Sequence, residues 1–107
     1  MIALSSATRV FVSLDPVDCR KSFSGLQGLV QDQLRQDPFS GHVFVFTNRT
    51  RNRLKLFYWD GSGIWIATKR LERGRFNWPR HDQLRPEEFQ ALVCGLEVVR
   101  QEGWYRK

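Results

Sequence analysis

The 107-residue sequence predicts an α+β fold: a single domain over 1–107, with a mainly antiparallel sheet of four to five strands and two helices packed on one face. Three observations carry this. Short β-rich runs recur at 9–14, 42–46, 53–59 and 64–70; apolar residues fall at helical spacing over 22–36 and again from Pro86; and glycines at 61 and 63 separate two of the runs as a hairpin loop would. The length and a 41% hydrophobic content suffice for one modest core.

Residues 9–14 (RVFVSL) read as a strand that stops at Asp15 and Pro16, because proline fixes φ and has no N–H for a ladder. Over 22–36, Phe23, Leu26, Leu29, Val30 and Leu34 share one helical face, with Ser24 and Gln27 as a capping box or Asp18 capping a turn earlier. Gly25 and Gly28 cost this helix about 1 kcal/mol each relative to Ala, which reads as room for close packing on the sheet. Residues 37–41 turn the chain, and 42–46 (HVFVF) are apolar without a break from Val43, as in a central strand buried on both faces.

The hairpin follows. With 61–63 as a three-residue loop and Gly63 left-handed, Asp60 pairs with Ile64 and Trp59 with Trp65. That register turns Leu54, Leu56, Tyr58, Ile64 and Ile66 toward the core. It leaves Arg53, Lys55, Phe57, Trp59, Trp65, Ala67 and Lys69 as a basic, aromatic outer face. Residues 75–78 read as a short edge strand or an extended arm ended by Pro79. Pro86 in a first helical turn with Glu87 and Glu88 opens a second helix, whose stripe is Phe89, Leu92, Val93, Leu96 and Val99 and whose end carries Arg100. The tail 103–107 is basic and aromatic.

Charge is focused in one window. Residues 49–80 hold nine Lys/Arg against Asp60 and Glu72, a net +7, while the whole chain is +6. Guanidinium groups neutralise phosphates and release counterions, and flat rings stack on bases, so this pairing of residue types points to nucleic acid. The binding candidates are Arg49, Arg51, Arg53, Lys55, Trp59, Trp65, Lys69, Arg70, Arg73, Arg75, Trp78 and Arg80. Thirteen of the 17 basic residues are Arg, which suits planar, bidentate recognition.

Catalytic chemistry is sparse. No phosphate loop, nucleophile elbow or zinc motif occurs, and Cys19 and Cys94 lie in no CxxC pair, so no cofactor and no metal are predicted. Asp60 reads as a turn residue, Asp15, Asp18 and Asp37 as turn or capping residues, and His42 as a hydrogen-bonded residue at the core edge. A small metal-dependent nuclease using Asp60, His81 and Asp82 is the weakest alternative. The chain shows no leader pattern and no run near 18 apolar residues, so a cytoplasmic protein with free thiols and no membrane contact is expected.

Several blocks, in order, resemble the accessory protein of bacterial insertion-sequence-66 type elements, often labelled TnpB or second open reading frame product. They are Asp18, Arg20, Lys21, Phe23, Gly25 and Leu26; Asp37, Pro38, Phe39, Ser40, Gly41, His42, Phe44, Val45 and Phe46; Arg53, Lys55, Trp59, Asp60, Gly61 and Gly63; and Lys69, Arg70, Leu71, Glu72, Gly74, Phe76, Trp78 and Pro79. The resemblance covers roughly residues 1–80 and loosens after His81; Cys19 stands where Met is common in that family. It implies a helper needed for efficient DNA transposition, encoded beside a separate transposase, and supplies no catalytic residues; the reading as non-catalytic rests on the sparse chemistry above. The partners it implies are DNA, that transposase and other accessory proteins. Two uses of the basic face remain open: direct DNA binding, and a protein-interaction module or homodimer with no DNA binding of its own.

Overall fold

The computed structural model describes residues 7–95, which form β1 (Val10–Val12), α1 (Phe23–Asp32), β2 (Val43–Thr47), β3 (Arg53–Trp59), β4 (Ile64–Arg70), β5 (Gln83–Leu84) and α2 (Pro86–Val93). The five strands make one sheet in the order β4-β3-β2-β1-β5. All neighbours are antiparallel except β1 and β2, which run parallel with Val10 beside Val43 and Val12 beside Val45. This is the predicted α+β class on a mixed sheet.

Side chains alternate across a strand, so the unbroken apolar run of β2 needs cover on both sides. Val43 and Val45 enter one core with Val10, Val12, Leu54, Leu56, Phe76, Trp78, Leu84, Phe89 and Leu92. Phe44 and Phe46 enter another with Phe57 and with Leu26 and Val30 of α1. The two helices therefore lie on opposite faces, not on one as the sequence suggested. Burying a Phe side chain contributes about 1.5–3 kcal/mol, and Phe44, Phe46 and Phe57 are all fully buried, so the second face is a core in its own right.

The helix ends also differ from the sequence reading. Ser22 is the N-cap of α1 without a side-chain cap bond, and Asp18 spends its carboxylate on Arg20 instead. The helix stops at Asp32 because Leu34 donates to the Leu29 carbonyl and Gln36 to that of Val30, with Arg35 left-handed at φ 56° between them. A Cβ at Gly28 would meet nothing and one at Gly25 would meet Lys21, so neither glycine is required by close approach to the sheet.

At the other helix Pro86 and the Glu88 carboxylate, which accepts the Arg85 backbone N–H at 2.9 Å, start α2 as its sequence indicates. Residues 75–78 form no strand. Leu71 donates to the Asn52 carbonyl and Phe76 to that of Arg51, which lays the segment across the sheet end and sends Phe76 and Trp78 into the core. The edge strand on the β1 side is instead β5, only two residues long, too short to leave a periodic signal. Leu96, Val99, Arg100 and the tail 103–107 lie outside the described residues.

Candidate nucleic-acid interface

The β3–β4 register decides what the basic residues can do. Trp59 pairs with Ile64, Tyr58 with Trp65, Leu54 with Lys69 and Arg53 with Arg70. This is one residue off the predicted register, and the cause is the loop. Oδ1 of Asp60 accepts the backbone N–H of Ser62 at 2.8 Å, that of Gly63 at 2.9 Å and the Ser62 hydroxyl, while the Asp60 N–H donates to the Gly63 carbonyl. These bonds close a four-residue loop in which Gly61, at φ 101°, takes the left-handed position instead of Gly63. The Ser62 N–H, the Trp65 indole N–H, the Gly63 N–H and the Ser62 hydroxyl together hold the Asp60 carboxyl at about 2, below its ordinary 3.8. Its role as a turn residue is as expected.

The corrected register dissolves the predicted outer face. Arg53, Lys55, Phe57, Trp59, Ile64 and Ile66 share the α1 side, while Trp65, Ala67 and Lys69 share the α2 side. Phe57 is fully buried between them and α1. Trp78 is also removed from the interface: its ring is buried and its indole N–H donates to the Ser13 carbonyl at 2.9 Å. A stacking role there would require opening the core. Trp59 rests edge-to-face on Phe39 at 5.2 Å, and Trp65, 58% exposed, hangs at the hairpin tip on Asp60.

Two lysines are structural. Lys55 donates to the Lys21 carbonyl at 3.0 Å, tying β3 to the loop before α1. Lys69 donates to the Val93 carbonyl at 2.8 Å, at the C-terminal end of α2 where a positive charge complements the helix dipole. Arg80 is exposed beyond Trp78.

The six remaining arginines do meet. Arg49 and Arg51 lie in the turn between β2 and β3, Arg53 begins β3, and Arg70 ends β4 directly opposite it. The two backbone bonds from Leu71 and Phe76 dock the loop carrying Arg73 and Arg75 on Asn52 and Arg51. Two basic runs some twenty residues apart in sequence thus converge on one end of the sheet. The turn that presents them is rigid. Asn48 accepts the N–H groups of Asn52 and Arg53 and donates to Thr50 and Asn52, and the buried Thr47 hydroxyl donates to the Arg53 carbonyl at 2.8 Å. Arg51 is held left-handed at φ 59°. Six residues along β3, or about 20 Å, separate Arg53 from Trp59, so arginines and aromatics occupy opposite ends of the hairpin and do not interleave.

Beside this cluster is an open pocket of about 540 Å³ lined by Pro16, Val17, Asp18, Cys19, Arg20, Asn48, Arg49, Thr50 and Arg53. The charge window missed Asp18 and Arg20, because they come from the loop after β1. The signal was the β-α-β order of the first three elements, which is the pattern of a parallel pair whose following loops lie side by side. Asp18 takes a bidentate bond from the Arg20 guanidinium at 3.0 Å, which with the Arg20 backbone N–H holds its carboxyl at about 2. Burial pushes the Cys19 thiol up, with Lys55 opposing. His42 accepts the Arg9 N–H, as a core-edge residue should, and both cysteines are free.

Among the described residues no group of three His, Cys, Asp or Glu could hold a metal ion, and no helix is long and apolar enough to cross a membrane. His81 faces Glu88 at 3.3 Å.

No solved structure matches the chain. Two curated relatives do, both from Sinorhizobium fredii (strain NBRC 101917 / NGR234). The "Uncharacterized protein y4jC" is 42% identical over 104 residues, covering 94% of this chain and 89% of that protein. The "Uncharacterized protein y4hO" is 34% identical over 109 residues, covering 97% and 95%. The family model described as "IS66 Orf2 like protein" matches residues 8–103, well past the point where the resemblance in sequence blocks loosens. With both helices and all five strands inside that match, this chain belongs to the IS66 Orf2-like family of insertion-sequence accessory proteins.

Proposed function

We propose that this protein is a non-catalytic accessory subunit of transposition that binds the DNA backbone through Arg49, Arg51, Arg53, Arg70, Arg73 and Arg75. One observation carries the reading: Arg53 and Arg70 are direct cross-strand partners. Like charges so placed destabilise a sheet, by a fraction of a kcal/mol to about 1 kcal/mol. Arg70 has an exposed ion pair to Glu72 at 3.5 Å, worth little in water. A phosphate between the two guanidinium groups turns that repulsion into a bidentate grip.

Fluorescence anisotropy against element-end and scrambled duplexes at low and moderate salt tests the reading. Salt-dependent binding to both supports a backbone grip, and preference for element ends makes the protein a specific recognition subunit. Absence of binding at low salt overturns it. It would favour the second reading, a docking module for the transposase or for another copy, which is supported by Trp65 and Phe39 being exposed at the end of the hairpin away from the arginines.

A further inference from the structure

The pocket beside the arginine cluster has a place and a chemistry that a duplex-backbone grip does not use. It opens where the chain leaves the carboxyl ends of the parallel strands β1 and β2, the position at which α/β sheets form ligand crevices. Its volume of about 540 Å³ lies in the range of sites for single small molecules. A duplex keeps its base faces stacked inside and can offer such a concavity only backbone and groove edges. An unpaired nucleotide can insert sugar and base as well.

The lining fits such a guest. Three guanidinium groups face one carboxylate, which leaves the pocket two positive charges in excess. Asp18 is already saturated by Arg20, and the ion pairs among the described residues include neither Arg49 nor Arg53. The Arg20 guanidinium is pinned edge-on by its fork to Asp18, so its flat face is left for a base to stack upon. Pro16 and Val17 supply an apolar wall. Asn48 and Thr50 are committed to the turn that aims Arg49 and Arg53, so the site is preorganised.

We propose that this pocket takes one unpaired nucleotide of a DNA strand, its phosphate on Arg49 and Arg53 and its base on Arg20 against Pro16 and Val17. The proposal rests on the DNA-binding reading above and adds a preference for strand ends, gaps or melted tracts. Arg49 and Arg53 would belong to both sites, linking backbone grip and pocket.

The test is anisotropy with one duplex made blunt or with a five-nucleotide single-stranded overhang, on the full chain and two variants. Arg20→Gln changes only the pocket; Arg70→Gln with Arg75→Gln changes only the cluster outside it. The Arg20 side chain is 87% exposed and among the described residues bonds only to Asp18, so its variant should fold. The overhang duplex should bind roughly five- to tenfold more tightly than the blunt one, the scale of one ordinary net hydrogen-bonded contact. Arg20→Gln should erase that preference while leaving blunt binding within about twofold, and the double variant should weaken both duplexes alike. Equal affinity for the two duplexes, or a preference that survives Arg20→Gln, overturns the pocket alone. Absence of binding to either overturns the DNA reading and the pocket with it.

Discussion

Trp65 donates its indole N–H to Oδ2 of Asp60 at 2.8 Å, so the carboxylate that closes the hairpin loop also holds the exposed ring beside it. The folded-state value of about 2 lies below the ordinary 3.8, so the stabilisation from ionised Asp60 is complete above about pH 4 and is lost as pH falls through 2. Asp60→Asn should lower the thermal midpoint at neutral pH and flatten the acid limb between pH 4 and 2. Asp18 titrates in the same window, so the limb becomes shallower without disappearing. An acid limb identical to that of the parent would show that the tip is not held this way.

In α1 the position to change is Gly28. A Cβ there meets no atom within 4 Å, so Gly28→Ala should gain about 0.5–1 kcal/mol in urea unfolding through reduced backbone entropy alone. Gly25→Ala should gain less, because its Cβ would lie 3.0 Å from the Cβ of Lys21, whose carbonyl is already engaged by Lys55. Equal gains at the two sites would mean that the loop before α1 yields freely.

Trp78→Phe keeps most of the buried ring but removes the N–H that satisfies the Ser13 carbonyl. It should cost about 1–3 kcal/mol of stability, read by denaturant unfolding, and leave DNA affinity unchanged. Lost affinity at full stability would return Trp78 to the interface.

Arg70→Gln separates binding from folding. Relieving the repulsion with Arg53 should hold or raise stability, by up to about 1 kcal/mol, while the log–log salt slope of DNA binding becomes shallower by about 1. A variant that binds as before but unfolds earlier would assign Arg70 to the Glu72 pair instead.

The two hairpin strands were legible to the residue, because β-rich runs between glycines leave few other options, and so was the start of α2 at Pro86. Their register was not. The predicted register keeps Ile64 and Ile66 on the face of Leu54 and Leu56, and that fails because α1 covers Ile64 and Ile66 on one side while Ala67 joins the core on the other. The arginines were legible as a charge excess, and their meeting was not, since it depends on two backbone bonds from Leu71 and Phe76. Trp78 and an exposed stacking Trp have the same composition signal; only burial tells them apart. The pocket has no signature in strand composition, which does not encode strand direction; only the β-α-β order of the first three elements points to the parallel pair beside it.

β1 lies between β2 and β5, so the first strand in the chain receives its second neighbour from residues more than seventy positions later. Such a pairing has high loop-closure entropy and forms late. On the ribosome, β1 through β4 can assemble while β1 still presents a bare edge, and that edge closes only once Gln83 and Leu84 have been made. Until then an unpaired strand is available to any other chain, so the short β5 also guards against strand exchange between nascent copies.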